Sequence, residues 1–479
     1  MAFETVIGLE IHAELHTKSK IFCSCSTEFG AKPNANTCPI CLGLPGTLPV
    51  LNDEVINLAV KAGTALNCKI NMLNKMDRKN YFYPDLPKAY QTSQFDLPMC
   101  SGGYADIEAG GDTRRVRLNR IHIEEDAGKL IHVEGEDISY IDYNRVGVPL
   151  VEIVSEPDMR SVDEAVEFLR TLKGVLEFSD ISDCRMEQGS LRCDANISIR
   201  EVGSGVLNTK VELKNLNSFK ELQKALEKEE KRQLELYSFG EEFKIKQETR
   251  RWDAGKGKTV SMRSKEEAHD YRYFPEPDLL PIIVKPEVVE NAKATLPEMP
   301  KAKKARFISQ YGLPEKEAAI IIDERALAKY YEETVAEGAD PKIAANWILG
   351  DILRLLKEKD LAASAIPVVP AALVKLLSLI KGGQLSTTAA KEVFEEMFVT
   401  GKSADTVVEE KGLAQISDTS EIEKIADDIL DANPQSIEDF KAGKKQAAGF
   451  LMGQLMKASK GKANPKVAKE LLDRKLSER

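Results

Sequence analysis

The feature that most constrains this chain is a change of hydrophobic period across a proline-rich stretch. Before it, apolar and polar residues alternate over several short runs, as in strands with one buried face. After it, apolar residues recur every three or four positions, as in amphipathic helices. Proline suits linkers better than element interiors, because it lacks an amide hydrogen. The sequence therefore predicts an α+β fold, with a β-rich part followed by a helical part. The prolines are Pro275, Pro277, Pro281, Pro286, Pro297 and Pro300.

Two helical signals interrupt the β-rich part. Ser161 and Ser218 are each followed three residues later by glutamate, which is the capping-box arrangement. Beyond the prolines we expect helices at 318–337 and 343–359, and a second break at 366–370. The predicted regions are a β-rich domain over 1–290, an all-α helical region over 291–405 and a C-terminal helical tail domain over 406–479.

Composition bounds the class of protein. Hydrophobic residues make up 42% and charged residues 30%, so a large core is available. No apolar run approaches the roughly 20 residues that span a bilayer. The N-terminus lacks the basic start and long apolar stretch of a signal peptide. We expect a soluble, cytoplasmic protein.

The charge is divided along the chain. The formal net charge is −10, but residues 441–479 hold eleven basic and three acidic side chains, so this tail carries +8 and the remainder −18. A basic helical surface can hold RNA phosphates without reading sequence. The alternative is an ordinary solvated helix face, and the clustering within an acidic chain favours RNA. The candidate contacts are Lys444, Lys445, Lys457, Lys460 and Lys462.

Several carboxylates and one histidine lie on segments that are predicted to be strands. Glu10, His12 and Glu14 alternate with apolar residues, so they share one face of a strand. By itself this pattern favours a solvent-facing strand surface. Further carboxylates change the balance, because acidic groups converging from separate strands repel unless a cation lies among them. These residues therefore form a candidate Mg²⁺ site of carboxylates with one histidine. The further carboxylates are Glu124, Glu125, Asp126, Glu152, Glu187, Asp194 and Glu212.

A basic-aromatic segment covers residues 77–85. Arg78 and Lys79 could hold phosphates, and Tyr81 and Tyr83 could stack on a base. An ordinary surface loop whose aromatic rings pack inward is at least as consistent with the pattern.

Four of the eight cysteines fall in one short stretch, as Cys23-x-Cys25 and Cys38-x₂-Cys41. This spacing is close to that of a zinc ribbon, so we expect a zinc-ribbon-like insert at 23–41 that holds structural Zn²⁺. The alternative is a loop of unmetallated thiols.

Long motifs connect the sequence to a known family. They are VIGLEIHAEL at 6–15, DRKNYFYP at 77–84, AYQTSQ at 89–94, HIEEDAGK at 122–129, LRCDAN at 191–196, DYRYFPEPD at 270–278 and MKASKG at 456–461. With these motifs the whole chain closely resembles the B-subunit family of bacterial tRNA-dependent amidotransferases.

The resemblance implies a ligase that forms carbon–nitrogen bonds. In that family, the protein uses ATP and Mg²⁺ to phosphorylate the side-chain carboxylate of misacylated Glu-tRNA(Gln) or Asp-tRNA(Asn). Ammonia channelled from an amidase-type A subunit then displaces phosphate, and a small C subunit completes a heterotrimer. The implied fold is an antiparallel cradle domain, a helical domain and a tail that grips tRNA. The competing interpretation is a non-catalytic, zinc-stabilised tRNA-binding subunit.

The resemblance also implies roles for particular residues. It gives Glu10, His12, Glu125 and Glu152 as Mg²⁺ ligands, with Glu124, Glu187 and Asp194 as second choices. It gives Arg78 and Lys79 as phosphate contacts, and it places Tyr81, Tyr83 and Arg192 at the nucleotide or aminoacyl pocket. Of these residues, Glu10, His12, Glu125 and Lys79 are the candidate catalytic groups. Some family members lack the cysteines, so zinc is expected to be structural.

Overall fold

The computed structural model describes residues 2–133, 135, 137–264, 271–415, 419–441, 444–459 and 463–478. The chain forms two compact units, Met1–Pro300 and Lys301–Arg479. Strands dominate the first unit and helices the second, so the predicted α+β class is confirmed. Within the described residues, no helix is both long and apolar enough to cross a membrane.

The first unit is built on strands. They are β1 (Phe3–Glu14), β2 (Lys69–Ile70), β3 (Leu73–Asn74), β4 (Asp77–Asn80), β5 (Tyr90–Ser93), β6 (Cys100–Ser101), β7 (Tyr104–Ala109), β8 (Asp112–Glu125), β9 (Lys129–His132), β10 (Ser139–Asp142), β11 (Pro149–Ser155), β12 (Leu191–Glu201), β13 (Val211–Lys214), β14 (Glu248–Asp253), β15 (Lys258–Ser264), β16 (Phe274–Pro275) and β17 (Ile282–Ile283).

One large sheet runs in the order β15-β14-β13-β12-β1-β11-β8-β6-β2, with β7 also paired to β8. Its strand pairs are antiparallel except β13 with β14, which are parallel. Strand β4 lies between β5 and β16 in a separate small sheet. Buried and partly exposed residues alternate in β1, where Leu9, Ile11 and Ala13 are fully buried and the residues between them are partly exposed.

Helices cover the apolar face of the large sheet. The helices of this unit are α1 (Asp53–Ala65), α2 (Val162–Phe178), α3 (Phe219–Ser238) and α4 (Pro286–Thr295). Ser161 and Ser218 cap α2 and α3 as predicted, because each hydroxyl accepts a hydrogen bond from the backbone of the glutamate three residues later. Phe168 and Leu222 pack from these helices into one core with Ile11. Helix α1 lies in a region that the sequence indicated to be strands and turns.

The second unit is helical. Its helices are α5 (Pro300–Tyr311), α6 (Glu315–Ile322), α7 (Arg325–Ala336), α8 (Pro341–Trp347), α9 (Leu353–Lys359), α10 (Pro370–Lys381), α11 (Thr387–Thr400), α12 (Ala404–Lys411), α13 (Thr419–Ala432), α14 (Pro434–Lys441), α15 (Lys445–Ala458) and α16 (Pro465–Glu478), and a π-helical turn at Ile348–Ile352 joins α8 to α9.

The predicted helix at 318–337 is in fact two helices, because α6 ends at Ile322 and α7 begins at Arg325. Buried apolar residues form one core from Phe307 to Val407 and another from Ile422 to Leu476.

Candidate metal centre and cysteine cluster

The polar face of the large sheet gathers two histidines and two glutamates. His12 of β1 lies beside Glu152 of β11, which lies beside His122 of β8. Glu124 is two residues beyond His122, so its side chain points to the same face. His12 Nε2 lies 3.3 Å from a carboxylate oxygen of Glu124 and 3.3 Å from one of Glu152, and His122 Nε2 lies 3.3 Å from the Glu152 carboxylate. We call these four residues the His–Glu cluster.

Burial and pairing set the charge of this cluster. Glu124 and Glu152 are only 2% and 8% exposed. Burial disfavours their ionised forms, but His12 and His122 outweigh it and hold the pKa of both carboxyls below its usual range. Burial also opposes charge on His12, yet the two carboxylates raise its pKa to about 10. The cluster without metal therefore holds ionised carboxylates and a protonated His12 at neutral pH.

The donor set fits a divalent cation. The ligand atoms of His12, Glu124 and Glu152 all lie within 4.8 Å of one another. Carboxylate oxygens with one imidazole suit Mg²⁺ or Mn²⁺. Two buried carboxylates at this separation repel unless positive charge lies near them. Imidazolium supplies that charge in the absence of metal, and a bound cation would supply it otherwise.

Lys79 lies close to this cluster, on strand β4. Its ammonium nitrogen lies 5.1 Å from the ring centre of Tyr271 and 5.9 Å from that of Tyr81. Burial opposes the charge on Lys79, but Glu124 and Glu152 are among the groups that raise its pKa above its usual value. An ammonium held by rings beside an acidic cluster can contact an anionic substrate group.

Two further predicted ligands lie on the same face but outside the cluster. Glu10 is two residues from His12 and pairs in register with Asp194. Its carboxylate accepts a hydrogen bond of 3.0 Å from the Asn196 amide. Asp194 forms an ion pair with Lys214, with nitrogen and oxygen 2.6 Å apart. Both carboxylates are therefore neighbours of the cluster.

The structure does not bring Glu125 or Glu187 into the cluster. Glu125 follows Glu124 directly in a strand, so its side chain points to the opposite face. There it forms an ion pair with Lys88 and accepts a 2.8 Å hydrogen bond from the Thr92 amide. Glu187 lies exposed on a 3₁₀ turn.

Of the other residues predicted to contact substrate, two arginines form hydrogen bonds with protein carboxylates and one tyrosine is exposed. Arg78 donates two hydrogen bonds to the Glu276 carboxylate, at 2.7 and 2.8 Å, so its guanidinium is held by a protein carboxylate. Tyr83 is 52% exposed. Arg192 lies on the polar face and donates a 2.8 Å hydrogen bond to Asp126.

The four cysteines of the predicted insert do converge, and we call Cys23, Cys25, Cys38 and Cys41 the cysteine cluster. Their sulfur atoms all lie within 4.8 Å of one another. The Cys38 and Cys41 sulfurs are 3.8 Å apart, close to the ~3.8 Å separation of two thiolates on a tetrahedral Zn²⁺ with bonds of about 2.3 Å. The arrangement fits a closed structural zinc site.

Within the cysteine cluster the thiolate form is favoured at Cys41, whereas the hydrogen bond shared with Cys41 raises the pKa of Cys23 and burial raises that of Cys25. A hydrogen bond shared with Cys23 lowers the pKa of the Cys41 thiol to about 5, and the nearby Lys20 ammonium acts in the same direction. Lys20 is fully buried, with its nitrogen 3.9 Å from the Cys41 sulfur. Thiolates are the form that binds metal.

The tail lysines are placed only in part. Lys444 precedes α15 and pairs with Asp439 at 2.9 Å, and Lys457 is exposed in the last turn of that helix. Lys445 begins α15, while Lys460 and Lys462 lie outside the described residues.

His122 was not among the residues predicted for the site. The signal for it was present, because it precedes Glu124 by two residues in a predicted strand. Its position beside Glu152 depends on the pairing of β8 with β11, which the sequence pattern did not indicate.

Comparisons with known proteins agree with the motifs. A family model described as GatB/GatE catalytic domain matches residues 5–290, and one described as GatB domain matches residues 329–476.

Full-length relatives are aspartyl/glutamyl-tRNA(Asn/Gln) amidotransferase B subunits. The chain is 66% identical over 478 residues to the one numbered 2 in Clostridium acetobutylicum, with all of both chains covered. It is 57% identical over 477 residues to that of Caldanaerobacter subterraneus subsp. tengcongensis, with the same coverage. It is 52% identical over 478 residues to that of Carboxydothermus hydrogenoformans, with 99% of each chain covered. Since these identities extend along the whole sequence, the chain belongs to the family of aspartyl/glutamyl-tRNA(Asn/Gln) amidotransferase B subunits.

Proposed function

We propose that this chain activates the side-chain carboxylate of Glu-tRNA(Gln) or Asp-tRNA(Asn) with ATP and Mg²⁺, and that ammonia then converts it to the amide. The names of its relatives support the amidation of such tRNAs. The observation that carries the proposal is the His–Glu cluster, in which two buried carboxylates and two imidazoles converge beside Lys79.

The chemistry explains the need for this arrangement. A carboxylate is a poor acyl donor, because its oxygen is a poor leaving group. In the proposed first step, a carboxylate oxygen attacks the γ-phosphorus of ATP and ADP leaves. In the second step, ammonia attacks the carbonyl carbon, the carbon–oxygen bond to phosphate breaks, and the amide forms after loss of a proton.

Residues of the polar face divide these tasks. His12, Glu124 and Glu152 would hold Mg²⁺, which neutralises phosphate charge and aligns the reacting groups. His122 orients the Glu152 carboxylate from the other side. Lys79 would contact a phosphate or the substrate carboxylate, with Tyr81 beside it. Three more residues of the same face are candidates for further substrate contacts, namely Glu10, Asp194 and Arg192.

Other parts of the chain would serve binding and assembly. We propose that the basic tail holds tRNA phosphates and that the cysteine cluster holds structural Zn²⁺. We also propose that an amidase-type A subunit supplies ammonia and that a C subunit completes a heterotrimer. Aminoacyl-tRNA and ATP are cytoplasmic substrates, so the proposed location is the cytoplasm.

The test replaces the two buried carboxylates in the assembled complex. For E124Q and E152Q we expect ATP-dependent activation of Glu-tRNA to fall at least about 100-fold, because each change removes a charge that would hold the metal. The partner's glutaminase activity should not change. The measurement is transfer of radiolabelled γ-phosphate, with Mg²⁺ varied. The matched control is E201Q, an exposed position at the end of β12.

Normal activation by both variants would contradict the proposed metal site. That result would favour the non-catalytic, zinc-stabilised tRNA-binding protein, since such a protein needs no acidic metal centre.

A further inference from the structure

Lys88 connects the chain segment just after the cysteine cluster to the large sheet. Gly43 lies two residues after Cys41, and its backbone has φ of +65°. We call residues 23–46 the cysteine loop. A Cβ atom added at Gly43 would lie 2.4 Å from Lys88 Cγ, so the lysine stem packs directly on the backbone of this loop. A displacement of this loop therefore displaces Lys88, because the contact leaves no free space.

The other end of Lys88 contacts a buried acid. Its ammonium forms an ion pair with Glu125 and donates a 3.3 Å hydrogen bond to Thr92. Glu125 is 2% exposed, and the Thr92 amide donates to the same carboxylate oxygen as Lys88. The Gln91 side chain also donates a 2.6 Å hydrogen bond to the Glu125 carbonyl. This end of strand β8 is thus fixed by strand β5.

The fixed residue is the chain neighbour of a His–Glu cluster carboxylate. Glu124 and Glu125 occupy opposite faces of the same strand end, so a shift of the Glu125 backbone moves Glu124 as well. Strand β5 contacts both acids, because the Ser93 hydroxyl lies 3.3 Å from a Glu124 oxygen. The contacts run without a gap from the cysteine loop to the polar face.

We propose that Lys88 is a positioning residue that couples the position of the cysteine loop to the position of Glu124. Through this coupling it sets the affinity of the His–Glu cluster for its divalent cation. The inference rests on the proposed function, since it assumes that this cluster binds a cation. It assigns the cysteine cluster an influence on the opposite face of the sheet, although a closed four-thiolate site has no open position for catalysis.

The test measures binding of Mn²⁺ to the full chain by electron paramagnetic resonance, with E152Q defining the site. K88M keeps the stem on Gly43 and removes the ammonium, while G43A keeps the ammonium and displaces the stem. We expect Mn²⁺ affinity to fall about tenfold in K88M and severalfold in G43A, as for the loss of groups that orient metal ligands. Zinc content should stay at about one ion per chain in both variants, as for a single four-thiolate site.

The control is G46A. Gly46 lies in the same loop with φ of +86°, so alanine is similarly strained there, but nothing lies within 4 Å of its added Cβ. Its Mn²⁺ affinity should match that of the unchanged chain. Unaltered Mn²⁺ affinity in K88M and G43A would overturn the inference, and so would equal weakening in G46A, which would indicate loop strain alone. If the unchanged chain has no Mn²⁺ site that E152Q removes, the proposed function itself fails, and this inference fails with it.

Discussion

At the scale of single residues, the two buried carboxylates of the His–Glu cluster determine its electrostatics. An unpaired ionised carboxylate in the interior costs several kcal/mol, so Glu124 and Glu152 need positive partners. His12 lies 3.3 Å from both of them. The imidazolium therefore occupies the electrostatic role that a metal ion would take, and a metal ion bound through His12, as proposed, would displace its proton.

This exchange predicts a pH dependence of metal binding. The pKa of His12 is about 10 without metal. The ion pairs of protonated His12 with Glu124 and Glu152 therefore contribute their full stability below the ordinary histidine pKa of about 6.5, and this stability is lost as the pH rises through 10. Mg²⁺ competes with that proton, so its affinity should rise up to about tenfold per pH unit between about pH 7 and 9. We expect Mg²⁺ to raise the melting temperature more at about pH 9 than at about pH 6.5.

The measurement is thermal unfolding with and without Mg²⁺ at both pH values. In E152Q, which lacks one of the proposed ligands, the Mg²⁺-dependent increase should be small at either pH. An increase in the unchanged chain that is independent of pH would argue against proton displacement from His12.

At the scale of elements, the alternation of strand β8 separates two adjacent acids. Glu124 faces the His–Glu cluster and Glu125 faces Lys88, because successive side chains of a strand point to opposite faces. A slip of one residue between β8 and β11 would exchange them. The buried strand β11, which lies between β1 and β8, holds this register.

The cysteine loop is a second element with a testable role. C38S removes one of the four proposed zinc ligands, so we expect zinc content to fall from about one ion per chain to near zero. Metal analysis of the reduced protein is the measurement. C68S is the matched control, because Cys68 is half-buried outside the cluster and should not affect zinc content. A chain purified without zinc would contradict a four-thiolate zinc site.

At the scale of the whole molecule, separate cores divide the helical unit. The described apolar residues from Ile422 to Leu476 pack in their own cluster, distinct from the core that ends near Val407. Leu413 still packs against the earlier core, and the Gln415 amide donates a hydrogen bond to the Gln384 carbonyl. A chain that ends at Gln415 therefore keeps these contacts.

Removal of the tail should weaken tRNA binding. We expect the chain ending at Gln415 to bind tRNA at least about tenfold more weakly at about 0.1 M salt, with a shallower salt dependence, because phosphate contacts are lost. Filter binding at two salt concentrations measures both quantities. The partner's glutaminase activity should be unchanged, and an equal tRNA affinity would contradict a role for the tail.

Much of the architecture could be predicted because its signals are local. The caps at Ser161 and Ser218, the strand at β1 and the cysteine spacing all depend on residues a few positions apart. The sequence did not predict the break between α6 and α7, because apolar residues recur at helical spacing almost without interruption from one helix to the next. Helix α1 was missed because its surroundings indicated strands and turns.

The sequence by itself determined the α+β order, the family, and the face of β1 that carries His12. These follow from side-chain period and from motifs, which are properties of short chain segments. Only the tertiary structure decided that His122 joins His12 and that Glu125 lies on Lys88. Those contacts depend on which strands are neighbours and in what register, and the pairing of β1 with β11 joins residues that are far apart in the chain. No local period encodes that choice.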